Sequence, residues 1–162
     1  MKLQVCAAVA ASLVMMTSQA LAGAYVEGRV GIAGDAYTTT ETVGAAVGFE
    51  VVGATGNFLG AELVVDAYDG LSSGATGINL RAGATIDEKS RIFATLGRVW
   101  QRVNYTYYDG IFLVTVDDYV YDTVGGVGYQ TDISPNSYVS IQYQRVFDNE
   151  INRGMVGFGL KF

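Results

Sequence analysis

The chain contains no histidine. That removes Ser-His-Asp and Cys-His catalytic centres and any His-ligated zinc site, each of which needs an imidazole as base or ligand. Cysteine, proline and tryptophan occur once each among 162 residues. Charged residues are scarce, at 16% against roughly 25% in ordinary globular domains. Their balance is acidic, a net charge of −6, so the clustered Lys and Arg that nucleic-acid binding requires are missing. Long apolar runs are also missing beyond residue 22. A membrane helix needs about 20 mainly apolar residues, whereas the longest uncharged stretch there runs from Ile133 to Gln144 and contains Pro135. Helical spans are excluded on that ground. What abounds is glycine, at 21 residues, and tyrosine, at 11, in a chain that is 50% hydrophobic.

Residues 1–22 read as a targeting segment. Lys2 supplies a positive start, Val5 to Met16 carries no charge, and Ala20-Leu21-Ala22 has the small-x-small pattern of a signal-peptidase site. Cleavage after Ala22 removes the sole cysteine, Cys6, and leaves residues 23–162 as one domain without disulfides. Such an exported domain is held by its core or by its backbone hydrogen bonds.

The remainder alternates with period two, the signature of strands with one apolar face. Val43, Ala45, Val47, Phe49 and Val51 alternate with Thr42, Gly44, Ala46, Gly48 and Glu50. Leu59 to Ala67, Ile78 to Ile86 and Val156 to Phe162 repeat the pattern. Runs between turn signals give eight strands, near 24–33, 41–51, 58–68, 76–86, 91–106, 112–130, 138–147 and 154–162. Most approach the ~9–11 residues that cross a bilayer at a tilt. Strands five and six are longer and predict a projecting hairpin around Tyr108-Asp109-Gly110.

Two barrels suit eight such strands. A soluble barrel turns its apolar face inward around a ligand; a membrane barrel turns it outward to lipid around a polar interior. The polar face carries Glu27, Glu50, Glu62, Asp66 and Asp122 with Arg29, Arg81, Arg98, Arg102 and Lys161. Acids and bases are equal in number, as a closed interior of low dielectric requires. The reading is therefore an all-β fold, an eight-stranded antiparallel up-and-down transmembrane β-barrel with these ten residues as its lumen charge network. Gly44, Gly48, Gly83, Gly126 and Gly128 leave room on the same face. Tyr37, Tyr68, Tyr105 and Tyr119 fall towards one rim, and Phe49, Phe58, Tyr129, Tyr138 and Phe162 towards the other, as in aromatic girdles. In strand five, placing Phe93, Thr95, Gly97 and Val99 outward puts Arg98 and Arg102 inside together with Trp100, and a bulge near Gly97 is expected to relieve the conflict.

The last strand, Gly-Met-Val-Gly-Phe-Gly-Leu-Lys-Phe, resembles the bacterial outer-membrane β-barrel family, whose members end on an alternating strand with a terminal Phe that the barrel-assembly machinery reads. Here that signal is Val156, Phe158, Leu160 and Phe162. Gly125-Gly126-Val127-Gly128-Tyr129 and Ser140 to Arg145 resemble the small eight-stranded OmpA/OmpX-like and opacity-type members. Where that family often has a Glu before the Tyr, this chain has Gly128 and Gln142, so no such carboxylate carries over. The resemblance implies a Gram-negative outer-membrane location, periplasmic termini, contact with outer-membrane lipid and lipopolysaccharide, and outward loops near 34–40, 69–75, 107–118 and 148–153. Those loops form an acidic rim, with Arg145 and Arg153 its bases.

No catalytic, cofactor-binding or metal-ligating constellation stands out. Asp117-Asp118 is too short for a calcium loop, which needs several spaced oxygens. A structural or surface-interaction role in envelope integrity, adhesion or host contact is the leading expectation. A narrow, porin-like pore is the alternative, followed by a lipid-modifying enzyme or a soluble ligand-binding barrel. The small-barrel enzymes resembled here use a His, which this chain lacks.

Overall fold

Alternation of small and large side chains, punctuated by Gly, Asn, Asp and Ser turns, produces eight strands and no helix long and apolar enough to cross a membrane among the described residues. The computed structural model describes residues 23–35, 37–68, 73–109 and 112–162, with side chains described except at 73, 102–109 and 112–118. The expected targeting segment, 1–22, lies outside the described residues. The strands are β1 (Ala24–Gly34), β2 (Thr39–Val52), β3 (Asn57–Tyr68), β4 (Ser73–Thr85), β5 (Ser90–Asp109), β6 (Phe112–Ser134), β7 (Ser137–Val146) and β8 (Ile151–Lys161). Each pairs antiparallel with the next, and β8 pairs with β1 to close an up-and-down barrel. Closure leaves no edge unpaired within the ring, whereas beyond Gln101 on β5 and before Val124 on β6 the two strands pair only with each other.

One end of the barrel has tight connections. After β2, Gly53 N–H donates to Asn57 O at 2.8 Å, and Gly56 takes a positive φ of 80° that an L side chain resists. After β4, the Asp87 carboxylate accepts from the amides of Lys89 and Ser90, both at 2.8 Å. These bonds hold its carboxyl below the usual carboxylate range. After β6 the hydroxyls of Ser134 and Ser137 bond at 2.7 Å across Pro135-Asn136. At the other end β5 and β6 stay in register to the Asp109↔Phe112 pair. They run 20 and 23 residues, against 10 to 14 for the other strands, so their hairpin projects beyond the rim.

The period-two pattern resolves into two faces. Val43, Val51, Leu59, Leu63, Ile78, Leu80, Ile92, Leu96, Val127, Ile141, Val156, Phe158 and Leu160 are exposed on the outside. The buried residues face the lumen, and more of them are polar or charged than apolar. The two small apolar clusters lie towards the projecting-hairpin end. One is Ala33, Tyr68 and Ala75, the other Val99, Val124 and Val146, and Ile151 packs against both.

Candidate functional site

The candidate site is the lumen, and glycine decides what fits inside it. Inward aromatics sit directly across from glycines on neighbouring strands: Tyr25 from Gly48, Phe58 from Gly83, Phe93 from Gly128 and Tyr138 from Gly159. A Cβ at any of these glycines would collide with the facing ring. The rings therefore lie over bare backbone and fill the tight-turn half of the barrel.

Arg81 on β4 occupies the centre of that half, with 1% of its surface exposed. Its guanidinium carbon lies 3.7 Å from the centre of the Phe93 ring, 5.2 Å from Tyr25 and 5.7 Å from Phe58. A guanidinium over ring faces is attracted by the ring quadrupole. The Nη2 of Arg81 donates to Gln130 at 2.8 Å, and its Nη1 pairs with Glu50 at 3.2 Å. Glu50 also receives Arg91 at 3.0 Å. Lys161 bonds Asp132 at the rim.

Two carboxylates are held by neutral donors. Glu62 accepts from the Tyr25 hydroxyl at 2.8 Å and the Asn79 amide at 2.9 Å. Glu27 accepts from the Ser140 hydroxyl and the Gln142 amide, both at 3.0 Å. Nearer the other end, Arg29 grips Asp66 with Nε at 3.0 Å and Nη2 at 2.8 Å, and Arg153 reaches the same carboxylate at 3.4 Å. Asp122 accepts from Asn149 at 2.7 Å. These groups and the rings fill the lumen between a cavity of about 70 Å³ beside Arg91 and Lys161 and one of about 200 Å³ beside Arg153.

Of the expected charge network, Glu27, Arg29, Glu50, Glu62, Asp66, Arg81 and Asp122 are buried in the lumen, and Lys161 is half-buried at its rim. The side chain of Arg102 lies outside the described residues. Arg98 is a correction: it is exposed on the outer face. The register of β5 is the reverse of that expected. Phe93, Thr95 and Val99 point inward, so Arg98 shares the outer face with Ile92, Leu96 and Trp100. The cause is the pairing of Phe93 with Gly128, whose missing side chain makes room for the ring beneath Arg81. No bulge forms at Gly97, which pairs in unbroken register with Asn79 and Val124. The irregularity lies instead between Asp132 and Ser134.

Phe58, Tyr68 and Tyr138, expected in the girdles, are also inside. Arg153, expected on the acidic rim, is buried beside Asp66, because β8 begins at Ile151 and its parity carries Arg153 inward with Met155. Arg91, Asp132, Asn79 and Gln130 also escaped the sequence reading. Counting back by twos from Lys161 would have found Arg153. The outward faces of Val156, Phe158, Leu160 and Phe162 on and beyond β8 are exposed as expected.

Compared with known proteins, the chain matches no family model and no curated protein. Solved structures do match it. The N-terminal β-barrel domain of Pseudomonas aeruginosa OprF aligns with a TM-score of 0.62 at 14% identity, covering 89% of this chain and 100% of that one. The Yersinia pestis attachment invasion locus protein Ail, solved with the heparin analogue sucrose octasulfate, aligns at 0.60 and 11% identity, covering 87% and 98%. Neisserial surface protein A aligns at 0.51 and 13%, covering 89% and 100%. The fold is that of the small eight-stranded outer-membrane β-barrels.

Proposed function

We propose that this chain is an integral outer-membrane protein with a structural or surface-interaction role, such as envelope integrity, adhesion or host contact. The observation that carries this reading is the inverted polarity of the barrel: an exposed apolar outer face around a lumen packed with charge. Lipid is the solvent such a face requires. The tight-turn end, with both barrel termini, faces the periplasm, and the projecting β5–β6 hairpin faces outward. Acyl chains and lipopolysaccharide surround the belt, and the barrel-assembly machinery engages β8 through Val156, Phe158, Leu160 and Phe162. The role is non-catalytic. An eight-stranded barrel has room for little beyond its own side chains, and the Arg81 cage fills that room, which weighs against a pore.

Fractionation with gels of boiled and unboiled samples tests the reading. Outer-membrane recovery and a heat-dependent mobility shift are expected. Recovery from the periplasm without detergent overturns it.

A further inference from the structure

The projecting part of the β5–β6 hairpin has two open edges, since its strands pair only with each other among the described residues. Each edge is a row of backbone donors and acceptors that another strand can meet. Thr123 fixes which residues point there. Its carbonyl accepts from the Phe147 amide at 2.9 Å and its amide donates to Asp148 at 3.0 Å, so both its backbone groups face the β7 side. Direction alternates along an antiparallel ladder, and β5 and β6 keep an unbroken register. The backbone groups of Val103, Tyr105 and Tyr107 therefore face β6, and those of Asn104, Thr106 and Tyr108 face the open side.

Symmetry restricts how this edge can meet itself. Opposite residues of an antiparallel pair either both face each other or both face away. A strand pairing with its own copy must therefore be centred on a residue. Centring on Thr106 uses the whole stretch from Val103 to Asp109. It sets Thr106 opposite Thr106 of the second copy, Tyr105 opposite Tyr107, Asn104 opposite Tyr108 and Val103 opposite Asp109. No like charges oppose, and Thr–Thr and aromatic pairs are among those that stabilise sheets. The stretch also lacks the Lys and Pro that block strand addition. The edge of β6 differs. Its fullest overlap, over 112–122, sets Asp117 opposite itself, a like-charge pair that destabilises.

We infer that the β5 edge from Val103 to Asp109 is a homotypic docking edge, to which a second copy of this chain adds its own β5 antiparallel, centred on Thr106. Neighbours in one membrane share an orientation and would bring these edges together parallel. The antiparallel pair joins copies on facing membranes. The inference rests on the reading that the hairpin faces outward, and fractionation decides that reading separately.

The test uses the whole barrel, residues 23–162, which contain no cysteine, reconstituted in phospholipid vesicles. Thr106→Cys is expected to give a disulfide-linked dimer under mild oxidation, because a hydrogen-bonded pair puts its Cα atoms about 5.5 Å apart, within disulfide reach. Tyr105→Cys and Tyr107→Cys are expected to link to each other when vesicles carrying one are mixed with vesicles carrying the other, and neither to itself. Light scattering should show the vesicles clustering. Asn104→Pro removes one open-side donor and leaves the β5–β6 ladder intact. It is expected to abolish both linking and clustering, and the mobility shift of an unboiled sample checks its fold. Should that variant not fold, the cross-linking pattern decides. No dimer with Thr106→Cys, self-linking at all three positions, or clustering unchanged in Asn104→Pro overturns the docking edge.

Discussion

The guanidinium carbon of Arg81 stands 3.7 Å from the centre of the Phe93 ring. Phe93 reaches that position because Gly128, its partner on β6, carries no side chain. Removing the ring leaves a void beside a buried cation. Phe93→Ala is expected to destabilise the barrel by about 3–5 kcal/mol, the range for large aromatic truncations. Gly128→Val attacks the same contact from the other side, because its Cβ would overlap the ring. Both variants should lower the urea midpoint of the mobility-shifted band; an unchanged midpoint in both contradicts the packing.

Asp66 divides its oxygens unequally between two arginines. Arg29 holds it with two nitrogens within 3.0 Å, and Arg153 with one at 3.4 Å. Arg29→Gln should therefore cost more than Arg153→Gln, about 3–5 kcal/mol as for a broken buried pair. Asp66→Asn should be less harmful on the Arg29→Gln background than alone. A double-mutant cycle in urea measures that coupling, and strict additivity counts against the shared carboxylate.

Arg98 lies on the outer face beside Ile78 and Thr123. On that face, towards the rim, replacing it costs little: charged residues near an interface change stability by about 0–1 kcal/mol. Arg98→Leu should leave the urea midpoint within that range. A loss of several kcal/mol would return Arg98 to the lumen.

Trp100, the sole tryptophan, shares the outer face with Arg98 and pairs with Tyr121. Lipids brominated close to the headgroup should quench its fluorescence more strongly than lipids brominated at the chain ends. Quenching only by a water-soluble quencher would contradict its outward placement.

Most of the barrel was legible as alternation. In β2, β4 and β8 the outward and inward residues stand where period two puts them, and β3 keeps the period while turning Phe58, Val64 and Tyr68 inward. The equation of apolar with outward failed where the lumen itself is aromatic. Phe58, Phe93, Tyr25 and Tyr138 look like lipid-facing rings in one dimension. They face inward because glycines oppose them on the next strand, and that opposition is a property of register, which a lone strand does not carry. Turn chemistry hid Arg153 for a related reason. Asp148-Asn149-Glu150 marks a connection, and Glu150 takes a positive φ of 53°, but the strand resumes at once at Ile151.

The β1–β8 pairing has a consequence for how the barrel enters a bilayer. A hairpin inserted alone would hold Arg29, Arg81 or Arg153 against acyl chains, at roughly 2–4 kcal/mol for each arginine near the midplane. Those side chains find their partners on other strands: Arg29 on β1 meets Asp66 on β3, and Arg81 on β4 meets Glu50 on β2 and Gln130 on β6. Stepwise insertion is thus penalised until those partner strands are in place, and only the closed ring supplies all of them at once.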